Sequence, residues 1–266
     1  MQAGHRCTYL HRVVRVDVTK PLANSVHVAA GFLTRIPVGD VSRGGRAEVD
    51  VAKAVPWFPV IGMLIGTCGG GTFYIASEFF ASPVSACLAL GVTLLITGAF
   101  HHDGLADIAD AFGGGWTIEQ RLEILEDSRL GTYGTSALAM ALITEVAAVS
   151  QLDPLEGFAA LVVAHTLGRG MTLAAMILAP PAGSGMGADY MTRLSPLAVT
   201  VGFFVAVLTT TILSPIFALV TIGAATVPTI AVVVLSIRKI GGINGDALGA
   251  IHVLAALATL VVTSAG

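Results

Sequence analysis

The sequence predicts an all-α fold: a polytopic integral membrane bundle of about seven transmembrane helices plus an N-terminal interfacial helix. Three observations predict it. The chain of 266 residues is 55% apolar and only 12% charged, where a soluble domain carries about 25% charged residues, and its mean hydropathy is +0.83. Its apolar residues gather into runs close to the roughly 20 residues that cross a bilayer, parted by short Ser-Pro, Asp-Pro or Gly-rich breaks. With seven crossings, all fourteen Lys and Arg residues except Arg169 fall on one face, the pattern of a cytoplasmic side.

Residues 1–20 hold Arg6, Arg12, Arg15 and Lys20 without the unbroken apolar core of a signal peptide, so they read as a basic cytoplasmic tail ahead of a single transmembrane catalytic domain, 21–266. Residues 22–36 are apolar but carry Asn24, His27 and Arg35; that is short for a span and suits an amphipathic helix at the interface. A polar linker, 39–53, leads to Pro56-Trp57-Phe58-Pro59, an interfacial aromatic anchor opening a first span over about 60–80. Gly62, Gly66, Gly69, Gly70 and Gly71 within it allow close helix approach. A second span, about 84–100, delivers the chain to the polar segment 101–134. The third span, about 135–150, contains Glu145, and the fourth, about 157–179, contains His165 and Arg169. After a Gly-rich loop, 180–195, with Asp189, Tyr190 and Arg193, come spans over about 196–213 and 216–237, then the loop 238–246 and a last span over about 247–262. Cys7, Cys68 and Cys87 have neither the number nor the spacing of a disulfide framework or metal cluster and read as reduced packing residues. A net charge of −3 points to no nucleic-acid partner.

The chemistry concentrates in residues 100–116. On a helix, Asp103, Asp107 and Asp110 fall within about 60° of one another, so three carboxylates converge on one side. Converging anions repel unless a cation sits among them, and hard oxygen ligands suit Mg2+ or Mn2+, with two ions an option for a diphosphate substrate. Asp246, from a separate loop on the same face, is either a fourth ligand or the N-cap of the last span. Asp127-Ser128-Arg129-Leu130-Gly131-Thr132-Tyr133-Gly134 puts a guanidinium, hydroxyls and two glycines before a helix, the makings of a phosphate cradle from Ser128, Arg129, Gly131 and Tyr133. Arg121 and Glu123 to Glu126 read as a solvated helix face. Arg169, inside a span, needs a partner or polar cavity: a substrate phosphate, or a salt bridge to Glu145 or an aspartate. His165 and His252 read as structural hydrogen-bonding residues. On a continuous helix His101 points away from the aspartates and His102 lies to the side, so chemistry alone chooses neither as a base.

His101-x-Asp103-Gly104-Leu105-Ala106-Asp107-x-x-Asp110, the Glu123–Gly134 stretch and Thr34-Arg35-Ile36-Pro37 together resemble the cobalamin synthase family, the adenosylcobinamide-GDP ribazoletransferases. The resemblance runs from Arg35 to Ala250. It implies an inner-membrane enzyme facing the cytoplasm that joins adenosylcobinamide-GDP to alpha-ribazole or its 5'-phosphate, releasing GMP, with Mg2+. It also favours His101 as a catalytic residue with Asp103 and Asp107, and Arg35 as a substrate contact. His102, Gly170 and Pro181-Ala182-Gly183-Ser184 depart from the family pattern. The spaced aspartates are similar in kind to those of CDP-alcohol phosphotransferases, but the Ala-Arg and inter-aspartate Gly of that group are absent. Cation transport by intramembrane carboxylates is a further alternative, disfavoured because the aspartates follow a complete span. A homo-oligomer is left open.

Overall fold

A computed structural model describes residues 21–37, 51–182 and 191–265. The tail 1–20, most of the linker 39–53, and Asp189 and Tyr190 lie outside the described residues. The described elements are α-helical: α1 Pro21–Leu33, α2 Val51–Ala54, a 3-10 turn Val55–Trp57, α3 Phe58–Ala76, α4 Ser82–Thr97, α5 Phe100–Gly114, α6 Ile118–Glu126, α7 Thr132–Val149, α8 Pro154–Leu178, α9 Pro196–Leu213, α10 Ala218–Ile240 and α11 Gly245–Ser264. Six segments are long and apolar enough to cross a membrane, the first running from Val51 through α3, and there are seven if α4 and α5 count as one bent span. The protein is a multi-pass membrane protein. At 13 residues α1 spans about 20 Å, too little for a crossing, and Phe32 stacks on Phe58 with ring centroids 5.6 Å apart.

Helix α8 is the axis, packed against α3, α9, α10 and α11. Lipid tails offer no hydrophobic drive between helices, so backbones meet where side chains are small. A Cβ at Gly62, Gly66 or Gly70 of α3 would lie 2.3, 2.6 and 2.8 Å from carbonyl oxygens of His165, Leu161 and Phe158 on α8. The i, i+4, i+8 glycines are thus one continuous contact stripe. Gly69 faces Thr93 of α4 instead, and Gly71 faces open space. Most buried hydroxyls are absorbed within their own helices, as when Thr166 donates to the Val162 carbonyl at 2.6 Å and Thr259 to that of Ala255 at 2.9 Å, while those of Thr221 and Ser236 are buried without a partner.

The connection from α4 to the aspartates departs from the sequence reading. In place of a span running straight into the motif, Gly98 (φ 64°) and Ala99 (φ 57°) are both left-handed, and α5 turns 89° from α4. Glycine tolerates that conformation; alanine pays for it. The Arg35 amide donates to the Ile96 carbonyl at 2.7 Å, and the Arg35 side chain lies so close over Gly98 that a Cβ there would meet its Nε at 2.3 Å.

The ends of the helices meet on one face. The loop after α8 pairs with the turn before α11, Ala182 donating to the Ile243 carbonyl at 2.8 Å and Ile243 to that of Pro180 at 2.9 Å. Arg121 of α6 donates to the Lys239 carbonyl at 3.1 Å. This corrects the solvated-face reading for Arg121, which ties α6 to the end of α10.

Candidate active site

The site is the end of α5 where it crosses the start of α11. A Cβ on Gly104 would lie 2.9 Å from the Asp246 carbonyl oxygen, and one on Gly249 would lie 3.0 Å from that of His101. Two glycines therefore let the backbones touch, which brings Asp246 to the aspartate helix. Asp107 stands within electrostatic reach of Asp103, Asp246 and Asp110. Asp103 is exposed, and Asp107, Asp110 and Asp246 are half-buried.

Of the two readings for Asp246, capping is taken by another residue. Asn244 is the N-cap of α11, its side-chain oxygen accepting from the Ala247 amide at 2.9 Å, while its Nδ2 donates to Asp246 Oδ2 at 2.8 Å. Asn in Asn244-Gly245-Asp246 is as strong a cap signal as Asp. The sequence reading passed over it.

Asp110 has a second partner set. Its Oδ2 accepts from the Gly131 amide at 2.8 Å and its Oδ1 from the Gly134 amide at 2.9 Å. A carboxylate from α5 thus caps the positive end of α7. The loop read as a phosphate cradle has two of its amides occupied by this internal anion. Thr132 and Tyr133 are exposed in the same first turn, where helix amides have no partner within the helix. Arg129 is turned onto Asp127, with its Nε 3.0 and 2.9 Å from the two oxygens. That hydrogen bond holds the Asp127 carboxyl below its usual range. Ser128 is exposed, and the Tyr133 ring lies over Gly113, where a Cβ would meet it at 2.6 Å. Lys239 holds the other end of α5, donating to the Phe112 carbonyl at 2.6 Å with its ammonium 5.3 Å from the Phe112 ring centroid. A basic residue at the end of one helix capping another has no local sequence signature.

Behind the mouth is a buried cluster. His101 packs on His252 with centroids 4.2 Å apart, consistent with its facing away from the aspartates. Arg169 is fully buried; its Nη1 donates to the His165 carbonyl at 2.9 Å and lies 3.4 Å from His165 Nδ1 and from His252 Nε2. Neither direct carboxylate partner expected for it is present among the described residues: Glu145 Oε2 faces His102 Nε2 at 3.5 Å instead. Arg35 is exposed at the α4–α5 bend.

The donor set has the chemistry of a hard divalent cation site: carboxylate oxygens from two helices, Asp103, Asp107 and Asp110 on α5 and Asp246 on α11. Among the described residues, no three His, Cys, Asp or Glu side chains are drawn to one ligation point. The carboxylates share a region of the mouth, and each oxygen of Asp110 keeps a lone pair beyond the one its amide uses.

A family model described as cobalamin-5-phosphate synthase matches residues 25–264. A protein of Mesorhizobium japonicum named adenosylcobinamide-GDP ribazoletransferase is 36% identical over 250 residues, covering 92% of this chain and 94% of its own length. Proteins of the same name from Bradyrhizobium diazoefficiens (38% identical, 90% of this chain and 93% of that one) and Shewanella baltica (36% identical, 86% and 88%) are similar to it over nearly as much. No solved structure matches the chain.

Proposed function

The chain belongs to the cobalamin-5-phosphate synthase family, and on that premise we propose that the acidic mouth between α5 and α11 is its adenosylcobinamide-GDP ribazoletransferase site. The enzyme acts in the closing steps of cobalamin synthesis. It transfers the cobinamide phosphate of adenosylcobinamide-GDP to alpha-ribazole or its 5'-phosphate and releases GMP. The family matches give no support to a lipid phosphotransferase or a cation transporter.

The chemistry is a phosphoryl transfer. A ribose hydroxyl of the ribazole forms a bond to the phosphorus beside the cobinamide aminopropanol, the bond from that phosphorus to the GMP oxygen breaks, and the hydroxyl proton is lost. A carboxylate-rich site repels a diphosphate unless its charge is offset. Bound Mg2+, as one ion or two, would supply that offset and polarise the phosphoryl oxygens. Asp103, Asp107 and Asp246 are the residues to hold it, with Asp110 at their border. The single observation behind this assignment is the close approach of α5 and α11 at Gly104 and Gly249, which sets Asp246 beside the helix that carries Asp103 and Asp107.

Around this centre the chain's own groups orient the substrate. The first turn of α7, with Thr132 and Tyr133 exposed, is tied to Asp110 and borders this centre, and Ser128 and Arg129 are exposed just before it. Arg129 can exchange Asp127 for a phosphate, since the pair is exposed and weakly held. Arg169 sits too deep for direct contact with a soluble substrate and acts from behind His101 and His252. The mouth faces the cytoplasm of an inner-membrane protein on this reading. Arg35, Lys53, Arg121, Arg129, Arg193, Arg238 and Lys239 all belong to the segments at that end, as the retention of basic residues requires.

The deciding experiment uses purified full-length protein with adenosylcobinamide-GDP and alpha-ribazole or its 5'-phosphate. GMP and a completed nucleotide loop are expected with Mg2+ present. Absence of both products from a folded preparation would refute the assignment.

A further inference from the structure

A cavity of about 20 Å³ lies inside the bundle, bordered by His102 of α5, Glu145 of α7, Ala164 and His165 of α8, and His252 of α11. Roughly 10–15 Å³ suffices for one water if two to four polar groups can hold it. The polar groups are here. His102 Nε2 and His252 Nδ1 are buried with no hydrogen-bond partner, as are Arg169 Nε and Nη2. Glu145 and Arg169 are the only buried Asp, Glu, Lys or Arg side chains among the described residues. Away from water, each costs several kcal/mol unless the other offsets it. They do not touch. Between them stand His102, 3.5 Å from Glu145, and His165 and His252, each 3.4 Å from Arg169. Those are direct contacts, and the cavity lies between the two sets, lined by Glu145 and His102 on one side and by His165 and His252 on the other, so that one water in it is within reach of both.

We propose that Glu145 is a positioning residue, which through one water held in this cavity joins His102 of α5 to the His252, His165 and Arg169 cluster of α11 and α8 and so fixes the helix that presents Asp103 and Asp107. The inference rests on the active-site reading above for its catalytic consequence, but not for its structural one. His102 immediately precedes Asp103, so a rigid rotation of α5 about its axis would move both. Without the network α5 is held near its C-terminal end, through Asp110 and Lys239, and by its glycine contact with α11.

Hydrogen exchange on the purified full chain in detergent tests this. In Glu145→Ala, amides of residues 101–109 are expected to exchange about tenfold faster, with α3 and α8 unchanged. Glu145→Gln keeps a water-binding amide and restores most of the protection. Ala164→Val fills the cavity while keeping Glu145 and loosens α5 as Glu145→Ala does. In the GMP-release assay Glu145→Ala lowers kcat about tenfold at unchanged KM, and Glu145→Gln recovers it. Wild-type exchange over 101–109 in Glu145→Ala, or faster exchange spread equally through α3 and α8, overturns the proposal. If wild-type protein released no GMP, the active-site reading would fall while the exchange comparison still decided the role of Glu145.

Discussion

Replacing Asp110 by alanine separates two roles that the sequence merges. The Asp110 carboxylate accepts two backbone amides, Gly131 at 2.8 Å and Gly134 at 2.9 Å, across the junction of α5 with α7. Hydrogen bonds to a charged group contribute about 1.5–3 kcal/mol each, and a half-exposed site takes the lower end, so Asp110→Ala should cost the first turn of α7 about 3 kcal/mol. At 1.4 kcal/mol per factor of ten, that is on the order of 10²-fold faster exchange of the Gly131 and Gly134 amides. Asp110→Asn can satisfy one amide but turns its NH2 toward the other, and should cost about 2 kcal/mol. Amide-resolved hydrogen exchange on the detergent-solubilised protein reads both. The Mg2+ concentration for half-maximal GMP release should stay within about threefold of wild type in Asp110→Asn, because the carboxylates nearest the proposed ion are others. Wild-type protection in Asp110→Ala would refute the capping argument, and a large rise in the Mg2+ requirement of Asp110→Asn would make Asp110 chiefly a ligand.

Asp103→Asn and Asp107→Asn should each lower Mg2+-dependent GMP release on the order of 10²-fold or more while membrane insertion, read by protease accessibility, is unchanged; full activity in either would remove the site. Gly104→Ala places a methyl 2.9 Å from the Asp246 carbonyl oxygen, and overpacking of about 1–3 kcal/mol should lower the melting temperature and pull Asp246 from the aspartate helix. Asn244→Ala removes the cap of α11 at a cost of about 1 kcal/mol, which Asn244→Asp should recover in the same melting assay. Burial plays little part at the exposed Asp127 carboxyl, which the Arg129 hydrogen bond holds low; its pairing is complete above the usual Asp pKa of about 4 and lost only as pH falls through the lowered value. Limited proteolysis around Arg129 should therefore be constant from pH 8 to pH 5.

The membrane class, the order of the helices and the acidic end of α5 followed from the sequence because each is a local property. Apolar runs set the spans, the spacing of Asp103, Asp107 and Asp110 set their common side, and the glycines of α3 marked a contact before its partner was known. Glycine spacing reports that a backbone comes close, but not which one. The fold alone decided what depends on elements distant in the chain. Gly98 and Ala99 turn α5 by 89° under the backbone of Arg35, 60 and more residues earlier. Asp110, identical in sequence terms to its two neighbours, meets α7 rather than the open mouth because it lies one turn further along the helix. Arg169, expected to find an anion, is surrounded by histidines because α8 is central and Glu145 meets His102 of α5 instead. A side chain's residue type fixes what it can bond, whereas the packing of whole helices fixes what is within reach.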